Sequence, residues 1–137
     1  MKTIGILGGM SWESSAQYYA LINQGVRERL GGIASAKIVM HSVDFAEMAR
    51  RQAAGEWEAL GAQLGEAALG LERAGADVML IATNTMHLVA PAVEDAISIP
   101  LLHIADPLSA ALTRAGHSRV GRLASRFTME QSFYADR

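Results

Sequence analysis

The 137 residues are enough for one domain and, at that size, for burial of roughly two-thirds of the surface an unfolded chain exposes. Half of the residues are hydrophobic and 19% are charged, which excludes a disordered chain; twelve basic against fourteen acidic side chains, with no long run of either sign, leave nothing to draw nucleic acid or an anionic membrane. With no cysteine there is neither a disulfide framework nor a thiolate metal site, so a reducing cytoplasm is the expected home and a small molecule or another protein the expected partner.

Residues 1–10 carry Lys2 as the one charged side chain and are broken by glycine, too short for a signal sequence or a membrane span. They read as a first buried strand at 3–7. Further strand-like apolar runs fall at 37–43, 77–82, 101–104 and 119–125, with helical patterns in most of the gaps. Such alternation predicts a parallel sheet covered by helices. Tyr18, Ile22, Val26 and Leu30 recur every fourth residue before Gly31, and Trp57, Leu60, Leu64, Ala68 and Leu71 recur at three and four before Gly75. A third helix is expected at 107–115, closed by Gly116. Thr128-Met129-Glu130-Gln131 has the spacing of a capping box and predicts another helix opening at Thr128. The sequence stops at Arg137, barely two turns later, so the last strand–helix unit is expected to be cut short.

Three segments and three histidines are the candidates for chemistry. Gly8-Gly9-Met10-Ser11 leaves the first strand as a glycine-rich turn that is either a carboxylate-binding loop or a tight strand-to-helix connection. Its spacing is not that of a dinucleotide-binding loop. Thr83-Asn84-Thr85 places two hydroxyls, an amide and successive N–H groups at the carboxyl end of a strand, where an open α/β sheet holds its ligand; three polar residues in a row exceed what a helix cap needs. His41, His87 and His103 lack the spacing of a zinc site and read as satisfied, partly buried histidines. Arg50, Arg51 and Gln52 either reach a second anionic group of a ligand or form a solvated face.

Taken in order, Gly5-Ile6-Leu7-Gly8-Gly9-Met10-Ser11, His41-Ser42-Val43-Asp44-Phe45, Thr83-Asn84-Thr85-Met86-His87, Leu102-His103-Ile104-Ala105-Asp106 and Arg126-Phe127-Thr128-Met129-Glu130-Gln131 resemble the aspartate/glutamate racemase family. The resemblance implies an α/β fold of parallel-sheet, Rossmann-like three-layer type, with a first domain at 1–100 and the start of a second, similar one at 101–137. It implies inversion of the α-carbon of a dicarboxylic amino acid without pyridoxal phosphate, other cofactor or metal, and a possible homodimer whose partner covers exposed apolar surface. It also implies two cysteines, one on each face of the substrate, the first immediately before the Thr-Asn-Thr run. Two opposed bases are needed because a proton leaves one face and another returns to the opposite face, and a thiol can be tuned to both tasks.

Here that first position is Ala82, and the second cysteine would lie beyond Arg137. Met10, Ser11, Gln52, Thr83, Asn84, Thr85, Ser125 and Thr128 are the implied substrate-binding residues. Arg122 falls inside an otherwise apolar predicted strand, where an unpaired buried charge would cost several kcal/mol, and Ala124 stands where the family usually has glycine, so either that strand is exposed or the sequence has drifted. Three readings follow: a racemase family member that has lost its first thiol and is inactive as it stands, a non-catalytic amino-acid-binding or oligomerising module on the same fold, or a hydantoin racemase or decarboxylase relative.

Overall fold

Ile4, Ile6 and Leu7 make an unbroken apolar run that can be buried on both faces, and a parallel sheet between helices is where such runs settle. In the computed structural model, which describes residues 1–133, they form the central strand β1 (Thr3–Gly8). Strand β2 (Lys37–Ser42) and strand β3 (Val78–Ile81) flank it, both parallel to it, in the order β2-β1-β3. Leu7 lies opposite His41 on one side and Ile81 on the other, so all three strands end at one level and their outgoing turns share one edge.

Helix α1 (Trp12–Leu30) and helix α2 (Phe45–Ala54) follow β1 and β2, and helix α3 (Trp57–Arg73) precedes β3. The stripe expected on α3 is the core: Leu60, Leu64 and Ala68 are fully buried and Leu71 nearly so, packed with Leu7, Met79 and Ile81 of the sheet. Gly61 and Gly65 face helix α4 (Ala90–Ala96), where a Cβ on Gly61 would stand 2.9 Å from the Ala92 Cβ. The glycines therefore set how closely the two helices approach. On α1 the expected stripe is weaker, with Tyr18, Ile22 and Val26 half-buried and Leu30 exposed.

Three expectations are corrected. The strand expected at 101–104 is a single bridge: Leu101 sits beside Met79, whose N–H donates to the Pro100 carbonyl and whose carbonyl accepts from the Leu102 N–H, each at 2.9 Å. Helix α5 (Ala105–Arg114) begins too soon after it for a ladder to extend. The strand expected at 119–125 is irregular, because among the described residues no strand lies beside it to complete a ladder, and Leu123 is almost wholly exposed. The last helix, α6 (Arg126–Glu130), opens after Ser125, two residues earlier than expected. Thr128 is thus inside α6 and forms no capping box, its hydroxyl being drawn into a tertiary contact.

Candidate active site

The glycine turn after β1 resolves as a tight connection. Gly9 has φ of +92°, and a Cβ there would overlap the backbone N and O of Val43, which follows β2. Its N–H donates to Ser15 Oγ at 2.9 Å, the Ser15 hydroxyl donates to the Ser11 carbonyl at 3.0 Å, and the Val43 N–H donates to the Gly8 carbonyl at 3.0 Å. The Gly9 N–H is thus engaged inside the protein and not turned to an anion. Ser11 caps α1, accepting from the Ser14 N–H at 3.4 Å, and Met10 is buried in the core.

At the end of β3 the chain turns into the cleft. Ala82 is completely buried and its N–H donates to the Leu7 carbonyl at 2.8 Å, extending the β1–β3 ladder by one bond. Asn84 is exposed and lines an open cleft of about 800 Å³ together with Leu108 and Leu112 of α5, His117, Arg122 and Thr128. Thr85 opens a short 3₁₀ helix (Thr85–Val89), and its Oγ1 lies 3.0 Å from Ser125 Oγ and 3.1 Å from Thr128 Oγ1. Ser125 and Thr128 are themselves 3.2 Å apart, so three hydroxyls from two distant segments close a ring. Thr128 is buried and Ser125 exposed, which gives the ring one inner and one outer member. An edge-on contact between Phe127 and Trp57, ring centroids 5.5 Å apart, holds α6 against the start of α3.

The structure thus brings Thr85, Ser125 and Thr128 into contact and sets Asn84 and Thr128 on one cleft. It does not join Gln52 to them. Gln52 is half-buried on α2, and among the described residues no hydrogen bond links it to the turn after β3. Beside it Arg51 is engaged with Glu47 at 3.1 Å and more loosely with Glu56 at 3.8 Å, while Arg50 is exposed. Of the two alternatives at Arg122 the structure shows the exposed one: the side chain is half-exposed and donates to the Met129 carbonyl at 3.3 Å.

His41 is exposed on β2, whereas His87 and His103 are buried as a pair, edge to face with centroids 4.4 Å apart. Among the described residues no three His, Asp or Glu side chains gather as a metal ion would require. Sequence reasoning missed the His87–His103 contact and the role of Ser15. His87 and His103 belong to different segments, and Gly9, whose N–H Ser15 accepts, lies outside the helix that carries Ser15, so no local period pointed to either contact.

A family model for Asp/Glu/hydantoin racemases matches residues 7–137. The chain belongs to this racemase family. Among solved structures, a candidate Asp/Glu racemase from Yersinia pestis is similar at a TM-score of 0.93 and 49% identity, over 98% of this chain and 58% of that one. An aspartate racemase homologue from Pyrococcus horikoshii is similar at a TM-score of 0.78 and 33% identity, over 85% of this chain and 50% of that one. The chain therefore spans between half and three-fifths of the length of these racemase-family structures, and it shares their α/β fold. Within the family match, Ala82 is the residue immediately before Thr83-Asn84-Thr85.

Proposed function

We propose that this chain carries one side of a cofactor-independent racemase site for aspartate or glutamate, and that as it stands it holds the amino acid without inverting it. The observation that carries the reading is the juxtaposition at the end of β3: a buried Ala82 directly precedes a turn whose Asn84 lines the cleft and whose Thr85 joins Ser125 and Thr128 in a hydroxyl cluster. Amide and hydroxyl donors at the carboxyl edge of a parallel sheet suit a ligand carboxylate.

The chemistry fails at the next step. Removing a weakly acidic α-proton requires a lone pair poised on one face and a proton donor on the other, and the Ala82 methyl supplies neither. No residue of the chain is a thiol. The reading assigns the first α/β domain to 1–100 and the beginning of a second to 101–137, a cytoplasmic setting and a homodimer. In the decisive experiment the chain is incubated with L- and D-aspartate and with L- and D-glutamate in deuterated water. No α-deuterium above that of a denatured control is expected; incorporation above that control would show that some other group acts as the base and would overturn the assignment of Ala82.

A further inference from the structure

The imidazole of His87 is buried directly behind the Thr83-Asn84-Thr85 turn, and it takes no part in the proposed chemistry. Its two nitrogens meet partners of opposite kind. Nδ1 lies 2.7 Å from the Thr83 carbonyl oxygen, which can only accept, so Nδ1 carries a proton. Nε2 lies 3.2 Å from the Ile104 N–H, which can only donate, so Nε2 is bare. Both contacts together are met by one species, the neutral Nδ1–H imidazole, and the His103 ring packed edge to face at 4.4 Å fixes its plane.

The bond to Thr83 has a consequence one residue along. The Thr83–Asn84 peptide is trans, so its C=O and N–H point in opposite directions. Holding the carbonyl inward against His87 aims the Asn84 N–H away from the core, towards the cleft that Asn84 lines. Among the described residues no acceptor takes that N–H. We infer that His87 is a positioning residue: its neutral Nδ1–H imidazole holds the Thr83 carbonyl inward and thereby presents the Asn84 N–H to a bound ligand, while Nε2 ties the turn to the 100–105 segment. The inference rests on the reading of this turn as the carboxylate anchor, and its test separates the two.

The ring nitrogens are read first, by ¹⁵N shifts of the imidazole in the full chain at neutral pH. Protonated Nδ1 and bare Nε2 are expected; the reverse tautomer or an imidazolium overturns the inference, whatever the variants do. Two substitutions then divide the bonds. His87→Asn places an amide nitrogen near the Nδ1 position and keeps the donor to Thr83, whereas His87→Gln places an amide oxygen near Nε2 and keeps the acceptor for Ile104. The Asn84 and Thr85 amide resonances are expected to stay near their original positions in the first and to move in the second. With L-aspartate as the probe, His87→Asn should keep affinity within about twofold and His87→Gln should lose roughly tenfold or more, the scale of one hydrogen bond to a charged group. A purely structural histidine would lower both variants alike, and that result overturns the inference. If the unaltered chain gives no response to L-aspartate, the carboxylate reading fails on its own, and the ring and amide shifts still decide the role of His87.

Discussion

Ala82 occupies a position with no room for improvisation: fully buried, its N–H committed to Leu7, and followed at once by the turn that meets the cleft. Ala82→Cys places a thiol at the position proposed for the first base, and it is expected to let the chain exchange the α-proton of one aspartate enantiomer with retention, read as deuterium incorporation without loss of optical purity. One thiol serves one face, so inversion from this single change would contradict the two-base picture. Asn84 tests the anchor instead. In Asn84→Ala the side-chain amide is gone, and L-aspartate affinity measured by calorimetry should fall by roughly 1.5–3 kcal/mol, the cost of a lost hydrogen bond to a charged group. Unchanged affinity would move the anchor elsewhere.

Helix α3 shows how one element can hold glycines of opposite meaning. Gly61 faces α4, where an added Cβ would meet Ala92 at 2.9 Å, whereas at Gly70 an added Cβ meets nothing within 4 Å. Gly61→Ala should therefore destabilise by roughly 1–3 kcal/mol through overpacking, and Gly70→Ala should stabilise by roughly 0.5–1 kcal/mol through helix propensity and lost unfolded-state freedom. Urea unfolding of the two variants reads both signs; a stabilising Gly61→Ala would mean that α3 and α4 are not held at this distance. The expected apolar stripe of α3 was legible because it repeats within one element and packs on a continuous core. The runs at 101–104 and 119–125 misled because an apolar stretch becomes a strand only beside another strand: the first finds one bridge to Met79, and the second finds no ladder among the described residues.

Across the whole molecule, apolar side chains remain outside the core, among them Trp12 and Leu21 on α1, Ile33 after it, and Leu123 near the cleft. No helix of the described residues is long and apolar enough to cross a membrane. The two racemase-family structures extend well past the share this chain matches. A chain combining Ala82→Cys with a second half from the family, bearing its own cysteine, is expected to recover inversion of aspartate or glutamate, measured by chiral chromatography. If that protein folds and binds dicarboxylates yet leaves the enantiomers unchanged, the binding-module reading replaces the racemase one.

The amino-acid sequence by itself determined the three parallel strands, the buried face of α3, the polar run at the carboxyl end of β3 and the absence of cysteine. Each is written in adjacent residues or at a fixed helical or strand spacing, and backbone periodicity turns such spacing directly into a buried face. Only the tertiary structure decided that the glycine turn closes on Val43 and Ser15, that Thr128 turns from a cap to the Thr85 hydroxyl, and that His87 clasps Thr83 and Ile104. Most of these contacts join residues far apart in the chain, and even the close ones depend on how the turn and the short helix pack. A hydroxyl or an imidazole accepts whichever partner packing brings within about 3 Å, and no local pattern records that choice.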